Sequence, residues 1–131
     1  MASAGRVTGI GGVFLRARDP KALTDWYQQH LGFPVTPHGT TFLWSDEVPK
    51  GTGMTLWSAF PDNTDYFGKG SRQAVMINLR VDDMDALLAK LRAANVTIDP
   101  HHEDAGYGRF AWIIDPEGNR VELWQPLADH S

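Results

Sequence analysis

Two stretches of the chain alternate apolar and other side chains in step, and each changes period at an acidic residue. In Gly12-Val13-Phe14-Leu15-Arg16-Ala17-Arg18-Asp19, Val13, Leu15 and Ala17 share one side. In Met76-Ile77-Asn78-Leu79-Arg80-Val81-Asp82-Asp83 the matching residues are Ile77, Leu79 and Val81. Both are therefore strands, and each runs into a helix. The first helix opens at Asp19-Pro20, a capping carboxylate followed by a proline suited to the first helical position. Its apolar face is Ala22, Leu23, Trp26 and Tyr27, and Leu31-Gly32 ends it. The second opens at Asp82 or Asp83, buries Met84, Leu87, Leu88 and Leu91 at helical spacing, and ends near Asn95.

Three further strands are expected after each helix. In the first half they fall near Phe33–Thr36, Thr41–Trp44 and Gly53–Ser58, and in the second near Thr97–His101, Arg109–Ile114 and Arg120–Trp124. The last of each set match again, Met54-Thr55-Leu56-Trp57 against Val121-Glu122-Leu123-Trp124. The chain is thus a β-α-β-β-β unit written twice. Module one spans about 7–60, a polar, glycine-containing linker about 62–73, and module two about 74–126, in a single domain over residues 1–131. A ferredoxin-like domain would place two strands between its helices, and three plus the start of the next unit disfavour it. The expected class is α+β, a concave mixed sheet with the helices outside.

Composition narrows the partners. With 42% hydrophobic residues in 131, the chain can bury a real core. Twelve basic against sixteen acidic side chains give a net charge of -4 without a basic cluster, which argues against nucleic acid or an anionic membrane. The absence of cysteine excludes disulfides, thiolate nucleophiles and cysteine-held zinc. MASAGRVTGI lacks the apolar centre of a secretion signal, and no apolar run reaches membrane-spanning length. A cytoplasmic protein is expected.

The most specific local motif is Phe110-Ala111-Trp112-Ile113-Ile114-Asp115-Pro116-Glu117-Gly118-Asn119-Arg120-Val121-Glu122-Leu123. Here Pro116 presets a turn, Gly118 supplies positive φ, and Asp115 and Asn119 bond local backbone. Together with the repeat and both helix entries, it resembles the closing hairpin of the vicinal-oxygen-chelate superfamily, which includes glyoxalases, bleomycin-resistance proteins and extradiol dioxygenases. The resemblance covers nearly the whole chain. It implies the glyoxalase-like fold and a homodimer, sometimes built by exchanging modules. In metal-dependent relatives it also implies a divalent ion held on the first and last strands of each module. Those positions fall on Gly12, Thr55, Met76 and Glu122. Only Glu122 is a competent ligand, since glycine has no donor, methionine suits soft ions and threonine is a poor anchor. No metal or other cofactor is therefore expected. The alternative is a displaced divalent site through His38, His101 or His102, although adjacent strand residues such as His101 and His102 face opposite ways.

Glu122 is the candidate catalytic residue, because a carboxylate desolvated beside Trp57 and Trp124 would act as a general base or hydrogen-bond partner. The bland alternative is a strand glutamate left from a lost metal site. Phe14, Arg16, Asn78 and Arg80 share the face of Gly12 and Met76, so they join Trp57 and Trp124 as candidate ligand-binding residues. The two arginines offer a clamp for an anionic ligand. Trp44, Trp112, Tyr107 and Phe110 add aromatic surface, and Asp104–Gly108 is a candidate rim. No nucleophile elbow, P-loop or complete dinucleotide fingerprint is present. The leading expectation is a small-molecule-binding protein, its ligand aromatic or anionic, with the standard metal site largely lost. The rivals are a glyoxalase-like lyase, isomerase or dioxygenase, metal-dependent or metal-free through Glu122, and a non-catalytic interaction module.

Overall fold

The computed structural model describes residues 5–31, 33–36, 39–46, 54–106 and 108–126. Within them the chain runs β1 (Val7–Ala17), α1 (Pro20–Leu31), β2 (Val35–Thr36), β3 (Gly39–Leu43), a 3-10 turn (Trp44–Asp46) and β4 (Met54–Pro61). It continues with β5 (Val75–Val81), α2 (Met84–Ala93), β6 (Thr97–Ala105), β7 (Gly108–Ile114) and β8 (Arg120–Pro126). These strands form one eight-stranded sheet in the order β2-β3-β4-β1-β5-β8-β7-β6. Strands β1 and β5 run antiparallel at its centre, and each carries the last strand of its own half as a parallel neighbour, β4 and β8. The expected mixed α+β sheet, twice β-α-β-β-β, is the fold observed.

The helix caps follow the sequence. Asp19 accepts a hydrogen bond from the Ala22 backbone N–H, and Asp83 accepts one from Ala86. Helix α2 buries Met84, Leu87 and Leu88 against Val81, Ala111 and Leu123 on the outer face of the sheet. Each such side chain stabilises the fold by about 1.5–3 kcal/mol. Helix α1 differs from expectation. Leu23 and Tyr27 turn inward, but Ala22 and Trp26 are exposed, so its apolar stripe is narrower than the periodicity implied. Its expected end at Gly32 lies outside the described residues.

The segment between the halves does more than connect them. It folds back over the concave face, where Phe67 is fully buried with Phe14, Met76 and Trp112. Arg16 fastens it, donating to the backbone carbonyls of Asp62, Thr64, Ser71 and Gln73. Arg120 donates to the Tyr66 carbonyl, and the Gln73 side chain bonds both the N–H and the carbonyl of Arg120. The expected linker is a strap pinned to both halves.

The closing hairpin turn is as expected. Asp115 accepts from the N–H groups of Glu117 and Asn119 at 2.9 Å, and Gly118 sits at φ 86. The expected rim at Asp104–Gly108 is instead mostly strand: Asp104 and Ala105 pair with Arg109 and Gly108 in the β6–β7 hairpin. Tyr107 and His38 lie outside the described residues.

Candidate functional site

Strand pairing decides which side chains meet on the concave face. One row crosses the middle of the sheet: Leu56 opposite Gly12, Gly12 opposite Asn78, Asn78 opposite Glu122, and Glu122 opposite Trp112. A second row places Arg80 beside Trp124 and Trp124 beside Phe110. Phe14 pairs with Met76 and Ser58 on the same face. Above this surface lies an open cleft of ≈ 1120 Å³, whose walls include Phe14, Leu56, Phe60, Tyr66, Phe110 and Trp124, with Glu122 below. Phe60 stacks on Tyr66 with ring centres 4.9 Å apart, and Phe110 lies parallel to Trp124.

Glu122 is 1% exposed. Asn78 Nδ2 donates to its Oε1 at 3.2 Å, while Oε2 is buried without a hydrogen-bond partner. Burial penalises its charged form and pushes the carboxyl up to about 7; Tyr66, Trp112 and Asn78 oppose this by favouring the carboxylate, and Glu103 adds to it. The Tyr66 hydroxyl is raised in turn, by burial first and then by the neighbouring Glu122. Asn78 Oδ1 and Trp112 Nε1 are also buried without a direct hydrogen bond, although the Trp112 N–H and the Tyr66 hydroxyl lie near enough to favour the Glu122 carboxylate.

Several expected site residues sit where the alternation placed them, and others do not. Phe14, Asn78, Arg80, Trp124 and Glu122 lie on the concave face. Thr55 and Trp57 do not. Trp57 packs against Tyr27 of α1 and Phe33, at 4.9 and 5.3 Å, and Thr55 pairs with Phe42 on that same outer face. The cleft position is Leu56, one residue along. A one-residue slip inverts every side chain of a strand, and Met54–Phe60 is apolar at too many positions for its alternation to fix the face. Arg16 is on the concave side, but its guanidinium is committed to the strap carbonyls and does not line the cleft. Arg80 is buried beneath Trp44, 4.4 Å from the ring centre, and donates to the Met54 carbonyl. His101 stacks on Trp112, whereas His102 pairs with Ala111 on the outer face, so the two do diverge.

The sequence reasoning missed Tyr66, Phe60 and Leu56. The aromatic pair Tyr66-Phe67 inside an otherwise polar segment was the visible signal that this stretch is buried.

The donor set bears on a divalent ion. Glu122 Oε2 and Asn78 Oδ1 are two oxygens, and β1 contributes only glycines. A Cβ on Gly11 would stand 2.0 Å from Asn78 Oδ1, and one on Gly12 2.6 Å from the Leu56 carbonyl oxygen. The β1 positions are thus filled by their neighbours and leave no cradle for a ligating side chain. Among the described residues no group of three His, Cys, Asp or Glu side chains could hold a metal. Catalytic metal sites use about three protein ligands, so these residues do not fit one.

A doubled β-α-β-β-β chain whose single sheet curves under an open, aromatic-walled cleft defines a paired-module architecture. The profile of the Glyoxalase/Bleomycin resistance protein/Dioxygenase superfamily matches residues 9–123, and the chain belongs to that superfamily. Among solved structures it is similar to a methylmalonyl-CoA epimerase in complex with methylmalonyl-CoA and NH4+, with 18% identity and a TM-score of 0.72 over 96% of this chain and 99% of that one. A methylmalonyl-CoA epimerase from Mycobacterium tuberculosis gives 21% identity and a TM-score of 0.62 over 97% and 93%. A protein described as NAD-dependent benzaldehyde dehydrogenase from Legionella pneumophila gives 11% identity and 0.58 over 88% and 98%. At these identities the likeness is one of fold. No curated protein sequence matches the chain. No helix among the described residues is long and apolar enough to cross a membrane.

Proposed function

We propose that this protein binds a flat, largely apolar small molecule in the concave cleft, anchored on Glu122, without the divalent metal used by other members of its superfamily. The observation that carries this reading is the Glu122 carboxyl, buried below an aromatic-walled cleft with Oε2 unpartnered. A natural protein rarely leaves such an atom unsatisfied, because desolvating it costs about 1–3 kcal/mol; a ligand donor would recover that cost. The crowding at Gly11 and Gly12 supports the metal-free part. Titration of the intrinsic fluorescence of the purified protein with flat aromatic compounds tests it, because Trp124 lines the cleft. Saturable quenching lost in Trp124→Leu supports the reading; near-stoichiometric metal retained after incubation and desalting would overturn its metal-free part.

A second reading has its own observation. A carboxyl pushed up to about 7 beside a tyrosine hydroxyl is poised to exchange a proton with a bound substrate, as an isomerase or lyase requires. Exchange of a substrate C–H proton with D2O, lost in Glu122→Gln, would favour it over binding alone. Val7, Ile10 and Val75, exposed on the outer side of β1 and β5, suit contact with a second copy, and light scattering tests the homodimer.

A further inference from the structure

The charges around the cleft restrict what can enter it. Among the described residues lining it, the ionisable side chains are Lys21, Asp25, Tyr66 and Glu122, and Lys21 is paired with Asp25 at 2.7 Å. The guanidiniums of Arg16 and Arg80, which favoured an anion in the sequence, are not among the lining groups. That leaves Glu122, set among Phe14, Phe60, Tyr66, Phe110 and Trp124. From β6, Glu103 adds negative charge near it. His101 and Arg120 flank Trp112 instead, and Arg120 is bonded to Asp99. An anion brought here would meet a carboxyl and the negative faces of aromatic rings, and among the described lining residues the one cationic side chain, Lys21, is already paired with Asp25.

The Glu122 carboxyl points the same way. It lines the cleft with Oε2 buried and not directly hydrogen-bonded, although the Tyr66 hydroxyl and the Trp112 N–H lie near enough to favour its carboxylate. A ligand satisfying Oε2 must present an N–H or O–H group. One that also carries positive charge would compensate the carboxylate and face the rings favourably.

We propose that the cleft's occupant is a flat nitrogen base bound as its cation, with an N–H group on Glu122 and its ring system between the aromatic walls. This rests on the reading that the cleft binds a small molecule, and it names the class. An organic cation would then take the charge-compensating place that a metal holds elsewhere in the superfamily.

The test uses three tricyclic probes of matched shape: aminoacridine as the cation, anthracenemethanol as the neutral form and anthracene carboxylate as the anion. Each is titrated calorimetrically into the intact wild-type protein and into Glu122→Gln near pH 8. Aminoacridine is expected to bind at least about tenfold more tightly than anthracenemethanol, with anthracene carboxylate weakest. The preference for aminoacridine over anthracenemethanol should collapse in Glu122→Gln. Equal or tighter binding of the neutral or anionic probe would overturn the cation inference and leave the cleft reading standing. Failure of all three to bind would overturn both.

Discussion

Replacing Glu122 with glutamine should make the protein more stable at neutral and alkaline pH, although it alters the candidate anchor. The carboxyl titrates near 4.5 in the unfolded chain and is pushed up to about 7 when buried. Below pH 4.5 it is protonated in both states and contributes no difference. Between about 4.5 and 7 the unfolded chain releases the proton while the folded protein keeps it, so folding stability falls as pH rises. Above 7 the full cost of a buried carboxylate is present. The gap corresponds to about 3 kcal/mol. Glutamine keeps the shape and can still bond the Asn78 side chain, but has no such penalty. Thermal and urea melts of both proteins from pH 5 to 8 measure it. The variant's advantage should grow by about 2.5 kcal/mol over that range, or roughly 10 °C in Tm for a chain of this length. Other titrating groups largely cancel in the difference. An advantage that stays flat within about 0.5 kcal/mol would refute the argument, because Glu122 would then already be charged and compensated at pH 5.

Tyr66→Phe removes a group that favours the Glu122 carboxylate, so the carboxyl should titrate at still higher pH. Carboxyl chemical shifts in the labelled protein would follow it, and an unchanged midpoint would mean the hydroxyl does not act on Glu122. Arg16→Met strips donors from four strap carbonyls and should cost about 2–4 kcal/mol, with new protease cleavage within residues 62–73; unaltered protease resistance would reject the clamp. Gly12→His, the substitution that would supply a metal-ligating side chain on β1, should destabilise by about 1–3 kcal/mol and retain no metal in elemental analysis, since its Cβ would meet the Leu56 carbonyl.

What the sequence made legible was whatever local chemistry or strict alternation specifies. Asp19 and Asp83 cap their helices and Asp115 organises its turn, because each acts on backbone a few residues away. The faces of Phe14, Asn78 and Glu122 were readable because their neighbours alternate cleanly with them. Trp57 failed for the opposite reason: β4 is apolar on both faces, one against α1 and one toward the cleft, so period two carries no sign there. Arg16 illustrates a different limit. Its direction was right, but its partners are carbonyls 46 to 57 residues away, and nothing in the local pattern announces them. Tyr66 escaped because proximity to Glu122 depends on how the strap folds back, a property of tertiary packing.

By composition, residues 62–73 are where a protein engineer would choose to insert a tag, open the chain or graft a sequence, since polar, glycine-bearing connections usually tolerate it. In this molecule that choice would fail twice over. The segment braces β1 through Arg16 and β8 through Arg120 and Gln73, and its Tyr66 forms a wall of the cleft. Any change of its length would loosen the scaffold and reshape the cavity together, so affinity and foldedness cannot be tuned independently there. The exposed Asp115–Asn119 turn contributes no wall to the cleft and is the better place to cut or extend the chain.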